Sequence, residues 1–174
     1  MTAYSEIRLR EEGRYHDISD PSATLTGKEL GARNVVRKAY HVELSAETAG
    51  TDYVVSCLAV PASQFPNGAK VVEIKFRSSV AVTESTTVFN TYTFSSRDVD
   101  GVNALTAATM TTDTVANGGI GTTVAHKEYS ATLSATAANL VIPAGGSLSL
   151  ARTHASTGTA VPRGSSFDIV IEAL

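Results

Sequence analysis

The chain has one cysteine, no tryptophan, two methionines and five prolines in 174 residues. A single thiol, Cys57, excludes an internal disulfide framework and any zinc site built on cysteine. Charge is scarce: Asp, Glu, Lys and Arg make up 18%, against ~25% in an average soluble protein. No stretch approaches the ~20 apolar residues of a membrane helix, so no membrane partner is expected. Residues 1–14 are polar and charged, unlike a secretory signal. A net charge of −3 argues against nucleic acid as a partner, because that binding rests on cationic contacts to phosphate.

What the chain has in abundance is small and hydroxylated. It holds 22 Thr, 18 Ser and 24 Ala. Thr suits pleated, half-buried surfaces, while Ser and Gly suit turns. Runs of Leu, Glu, Lys and Gln that build helices are missing. With 43% hydrophobic residues and a mean hydropathy near zero, this is the composition of one globular all-β domain. A surface so low in charge is a solubility risk unless partners cover much of it.

The charge is unevenly spread. Residues 1–50 carry 15 charged side chains, whereas residues 101–174 carry seven: Asp113, Lys127, Glu128, Arg152, Arg163, Asp168 and Glu172. Residues 1–36 lack a clean strand period and read as an extended arm ahead of a domain at 37–174. Asp20 precedes a proline and is biased away from helix. Thr26 followed by Glu29 fits a capping box, so a short helix near 27–38 is one expectation. Apolar Tyr4, Ile7, Leu9, Tyr15 and Ile18 recur along the arm, as in a segment that finds burial on a neighbour. Arg8, Arg10, Arg14, Arg33, Arg37 and Lys38 alternate with Glu6, Glu11, Glu12 and Glu29. That mixture of signs suits salt bridges to protein better than contact with phosphate.

From Lys38 onward the period becomes two. Tyr40, Val42 and Leu44 alternate with His41 and Glu43. Residues 52–60 are apolar on both parities, which predicts a strand buried on both faces. Val72, Ile74 and Phe76 alternate with Glu73, Lys75 and Arg77. Further strands are expected over 86–95, 104–112, 122–130, 147–153 and 166–174, separated by Asn-Gly, Asp-Gly and Pro-Ala-Gly-Gly turns. In the last strand Phe167, Ile169 and Ile171 face one way, and Asp168, Val170 and Glu172 the other. About eight strands of this kind predict a β-sandwich, jelly-roll-like in plan.

Catalytic and metal chemistry is not legible. His16, His41, His126 and His154 show no ligand spacing, although His126 and His154 can meet in space. There is no G-x-S-x-G elbow. Asp98, Asp100 and Asn103 lie near a calcium-loop pattern but lack its later ligands, and an Asp100-Gly101 turn accounts for them. Asp168 and Glu172 are ~13 Å apart along a strand, too far for a glycosidase pair. Cys57 reads as an inert thiol in an apolar strand. No cofactor and no enzymatic activity are expected.

One pattern runs from residue 85 to 174. It begins with the Thr-rich strand Thr86-Thr-Val-Phe-Asn-Thr-Tyr-Thr-Phe94 and an Asp-Gly turn, and continues through a Thr/Ala/Gly stretch. It ends with Leu140-Val-Ile-Pro-Ala-Gly-Gly146, an alternating Leu strand, a Gly/Thr loop with Pro162 and a short apolar terminal strand. This resembles the small decoration, or cement, proteins of tailed-bacteriophage heads. The resemblance implies a jelly-roll sandwich, often trimeric, that sits on the outer capsid surface and ties major-capsid subunits together. It implies a non-enzymatic virion protein made in the host cytoplasm, with the major capsid protein and its own copies as partners. The charged arm departs from the minimal sandwich; fully extended, it spans up to ~120 Å. On this reading Tyr4, Ile7, Arg8, Leu9, Arg10, Arg14, Tyr15, Ile18, Arg33 and Arg37 are the capsid contacts. The alternative is a receptor- or carbohydrate-binding β-module of a phage tail or surface, with Tyr53, Tyr92 and Tyr129 as sugar-stacking candidates.

Overall fold

A computed structural model describes residues 37–46 and 49–174 in full, and the backbone of residues 8–11 and 14–17. The chain divides into two units, Met1–Val35 and Val36–Leu174. In the first, β1 (Arg8–Glu11) and β2 (Arg14–Asp17) pair antiparallel, with Arg8 opposite Asp17 and Glu11 opposite Arg14.

The second unit is an all-β sandwich. Its strands are β3 (Arg37–Glu43), β4 (Tyr53–Ala59), β5 (Ala69–Arg77), β6 (Asn90–Arg97), β7 (Ala104–Thr111), β8 (Glu128–Ser130), β9 (Thr132–Leu133), β10 (Val141–Ile142), β11 (Ser147–His154) and β12 (Ser166–Ala173). One sheet runs β10-β5-β12-β3, with β8 also on β5, and the other runs β4-β11-β6-β7-β9. All pairings are antiparallel. From β3 to β12 successive strands, short ones included, alternate between the sheets, except for the β6–β7 hairpin. That strand order is the jelly-roll plan expected from the sequence.

Alternation of side chains builds the core. Phe76 on β5 and Phe167 on β12 meet Tyr92 and Phe94 on β6 across the sandwich, with ring centroids 4.9–6.1 Å apart. Tilted and edge-on pairs of this kind contribute ~0.5–1.5 kcal/mol each beyond their buried area. Ile74, Leu148, Leu150, Ile169 and Ile171 fill the same layer and are at most 1% exposed. Gly146 is required where the chain enters β11. A Cβ there would collide with the Arg97 carbonyl and sit 2.9 Å from that of Pro143.

Bulges correct the sequence reading in two places. Val170 pairs with Glu73 but Ile171 pairs with Val71, so Val72 is an extra residue in β5. Val71, not Val72, is therefore the core side chain. The expected strand at 52–60 is not buried on both faces: Val54 is 63% and Val55 43% exposed. The reason is position, since β4 lies at the edge of its sheet with β11 as its ladder partner.

Three boundaries also move. Arg37 and Lys38, the end of the helix expected near 27–38, open β3, where they pair with Glu172 and Ile171. The remaining residues of that helix lie outside the described residues. The strand expected from Thr86 starts at Asn90, because the Ser85 hydroxyl accepts hydrogen bonds from the backbone N–H of Thr87 and Val88 and holds a turn. Of 122–130 only Glu128–Ser130 is strand. Thr122 and Thr123 instead accept hydrogen bonds through their hydroxyls from Glu84 N–H and Val82 N–H.

Candidate functional site

The two sheets present different outer faces. Along β8, β5, β12 and β3 most outward positions are charged, with Val170 and Ala39 between them. Glu128 lies opposite Arg77, Lys75 opposite Asp168, and Asp168 opposite His41. The side chains close a chain of contacts: Glu128 Oε1 accepts from Arg77 Nη2 at 2.8 Å, Arg77 Nη2 reaches Asp168 Oδ2 at 3.3 Å, and His41 Nδ1 lies 2.8 Å from Asp168 Oδ1. Arg37 Nε pairs with Glu172 at 2.8 Å. Lys75 sits 3.0 Å from Glu73, whose hydrogen bond and charge, with help from Glu128, hold its amine above the ordinary lysine range. Asp168 and Glu172 thus act as outward charges matched to neighbours.

The outer face of the other sheet is hydroxylated and nearly free of charge. Val54, Ala151, Thr93, Thr109 and Thr132 lie in one row across its five strands. Ser56, Ser149, Ser95 and Thr106 form the next row. The one outward cation on these strands, Arg97, is tied down through Nε to Ser149 Oγ at 2.8 Å and through Nη1 to Gly101 O at 2.9 Å. This face ends at β4, where Val54 points outward and Val55 lines a cleft of about 200 Å³ with Val42, Leu44 and Tyr53, and with Glu43 and Ser45 at its polar side. Edge strands are normally guarded by charge or proline. β3, the edge of the other sheet, carries Arg37, Lys38, His41 and Glu43, whereas β4 carries no charge and no proline.

Inside the sandwich, Arg152 is fully buried. Its Nη2 donates to Thr159 O at 2.7 Å and to Asn90 Oδ1 at 3.2 Å, while Nε and Nη1 find no partner. Asn90 also donates to Thr159 O and accepts from Thr159 N–H, so one node staples the 156–160 loop to β6. Sequence reasoning counted Arg152 only among the charged residues. The signal was its parity, since it follows Leu148 and Leu150 on the inward side of β11.

The titratable groups singled out in the sequence sit in separate contacts. His154 pairs with Asp52 at 2.6 Å, and no contact joins it to His126 among the described residues. No group of three or more His, Cys, Asp or Glu able to hold a metal occurs among them either. Asp98 closes a turn by accepting from Val102 N–H at 2.9 Å and from Asn103. Desolvation raises its carboxyl, but the hydrogen bonds from Asn103, Val102 and Gly101 outweigh that and hold it below the ordinary range. Cys57 is the bulged residue of β4 and donates to Leu148 O; burial pushes its thiol up to about 12. Among the stacking candidates, Tyr92 is core, 2% exposed, with its phenol pushed up chiefly by burial. The Tyr129 hydroxyl accepts from Val124 N–H at 2.7 Å, and Lys127 lies over its ring.

Of the expected capsid contacts, Tyr4, Ile7, Ile18 and Arg33 lie outside the described residues. Arg8, Leu9 and Arg10 are on β1 and Arg14 and Tyr15 on β2. Arg37 belongs to the sandwich and is committed to Glu172. No helix among the described residues is long and apolar enough to cross a membrane. No family model, curated protein or solved structure matches the chain.

Proposed function

We propose that this protein is a non-enzymatic structural component of a bacteriophage virion. It binds the outer surface of the capsid and stabilises the shell across boundaries between major-capsid subunits. The observation that carries the reading is the nearly uncharged outer face of the β4-β11-β6-β7-β9 sheet, running into an edge strand, β4, whose own residues carry no charge. A face of Thr, Ser, Ala and Val has few charges to desolvate on docking, its hydroxyls can be re-paired with a partner's polar groups, and protein interfaces are depleted of charge at their centres. Ligands that bind only the assembled state stabilise it by mass action. Self-association into a trimer, through the weakly charged residues 101–174, multiplies weak contacts into avidity. The arm adds a second attachment through Tyr4, Ile7, Leu9, Tyr15 and Ile18, with Arg8, Arg10, Arg14 and Arg33 at its rim.

The test is co-sedimentation with capsids of the particle the protein comes from, alongside light scattering for its mass. Removal of residues 1–36 leaves a β-rich circular dichroism spectrum and weakens capsid binding. Thr93→Lys combined with Val54→Lys weakens binding at least about tenfold, equivalent to ~1.4 kcal/mol. Unchanged binding by both variants overturns the reading, and a monomeric mass at every concentration removes the trimer.

A further inference from the structure

A pocket of about 390 Å³ opens where β6 and β7 meet the 113–121 loop, lined in part by Thr91, Thr109 and Thr111 from the strands. Ser130 and Thr132 bring two more hydroxyls to its wall. The loop contributes Asp113, Asn117 and Gly118, and Phe89 and Ile120 supply apolar surface. No Lys, Arg or His lines it. The volume falls in the range of small-molecule sites, ~300–1,000 Å³.

The loop is shaped around Asp113, which is 7% exposed. Its Oδ1 accepts from Thr114 N–H at 2.6 Å and from Asn117 Nδ2 at 3.2 Å. Its backbone carbonyl accepts from Gly121 N–H at 3.0 Å. Gly119 packs so close to that residue that a side chain there would collide with the Asp113 carbonyl. Oδ2 accepts no hydrogen bond from any described residue. Oδ2 is not among the buried side-chain atoms that lack a partner, so it is an open acceptor available to a donor that enters the pocket.

The donor set selects the ligand. An anion such as phosphate finds one carboxylate and no cation here. A hard divalent cation needs several oxygen ligands of which carboxylates are the main part, and Asp113 is the only acidic residue in the lining. What fits is a neutral molecule with many hydroxyls and an apolar flank. Each Thr or Ser hydroxyl both donates and accepts, a carboxylate accepts from two hydroxyls at once, and Phe89 and Ile120 meet C–H surface. We propose that this pocket binds a neutral saccharide, one pyranose unit at a time. The pocket shares Thr109 and Thr132 with the outer face proposed to dock on the capsid, but the inference does not rest on that reading, because sugar binding is read on the isolated chain.

The experiment uses the full chain labelled with ¹⁵N, titrated separately with methyl glucoside, methyl galactoside, methyl mannoside and N-acetylglucosamine to high millimolar concentration. At least one sugar shifts the amides of Thr111, Asp113, Asn117 and Gly118 along saturating curves. Thr109→Val and Thr132→Val, exposed substitutions that keep side-chain shape, each weaken binding about three- to tenfold and leave the rest of the spectrum in place. Asp113→Asn weakens it further, and the valine variants keep the test valid if that one fails to fold. The proposal is overturned if no sugar moves those amides, if shifts appear only elsewhere, if calcium chloride or inorganic phosphate alone reproduces them, or if both valine variants bind as well as the parent chain.

Discussion

The two sheets of the sandwich share one interior and differ on the outside. Inward, both contribute aromatic and branched side chains to a single layer in which Phe167 touches Phe76, Tyr92 and Phe94. Outward, one sheet is laced by Glu128, Arg77, Asp168 and His41, while the other presents rows of Thr, Ser and Ala. The inward pattern is dictated by burial and leaves little freedom. The outward pattern is not needed for folding, because a jelly roll closes equally well under either surface. On the charged face Glu128, Arg77, Asp168 and His41 are matched to one another, although Arg77 Nε has no partner, whereas the hydroxylated face is the one proposed to meet a partner. The same contrast separates the edges, with β3 guarded by charge and β4 open.

The largest effect expected from breaking this comparison comes from the part both sheets share. Phe167→Ala removes the ring common to three aromatic pairs and leaves a cavity, costing ~3–5 kcal/mol in denaturant unfolding. A loss below about 1 kcal/mol would mean that the sheets do not rest on one core. Next comes Arg152. Arg152→Ala deletes the staple to Asn90 and Thr159 and is expected to cost ~2–4 kcal/mol by the same measurement. Arg152→Met, which fills the space without a charge, is expected to lose far less, because Nε and Nη1 already lack partners. Equal losses in the two variants would show that the charge, rather than the packing, holds the loop.

Cys57 sharpens the comparison at the open edge. Its thiol is pushed up to about 12 by burial, so at pH 8 it stays protonated and its labelling by a disulfide reagent is expected to be more than about 100-fold slower than that of a free cysteine. The neutral form is favoured by folding. That stability is complete below the unfolded value near 9 and is lost as pH rises towards the folded value. By pH 10 the loss is ~1.4 kcal/mol, and Cys57→Ser is expected to flatten that alkaline slope. Rapid labelling at pH 8 would show that β4 opens locally.

Most of the fold was legible because period two is a local property. Val42, Phe76, Phe167, Ile169 and Leu150 announce their faces within their own strands. What escaped depends on pairing between distant segments. Val72 looked inward until the bulge opposite Val170 and Ile171 shifted the register. Residues 52–60 looked doubly buried because the sequence does not say which strand takes a sheet edge. The pocket at Asp113 escaped for the same reason, since Phe89, Thr109 and Ser130 come together only through the pairing of β6, β7, β8 and β9 with their neighbours. The hydroxylated face was partly visible, as Thr91-Tyr-Thr93 and Thr109-Met-Thr111 alternate clearly, but that these pairs lie side by side is a fact of register.

The smallest effect is expected on the charged face, and there the comparison is most easily broken. Asp168 lies beside both Arg77 and His41, with side chains between 32% and 62% exposed. Ion pairs this open to water contribute ~0.2–1 kcal/mol each, so Asp168→Asn is expected to lower stability by less than about 1 kcal/mol. The loss should shrink further in 1 M salt, where the screening length falls to ~3 Å. Thr93→Lys on the opposite face is expected to leave stability within about 0.5 kcal/mol of the parent, as surface substitutions away from caps and buried networks do. The two variants then separate in capsid co-sedimentation, with Asp168→Asn binding as the parent does and Thr93→Lys losing affinity. The reverse result, binding lost with Asp168→Asn and kept with Thr93→Lys, would place the docking surface on the charged sheet and make the hydroxylated face the bystander.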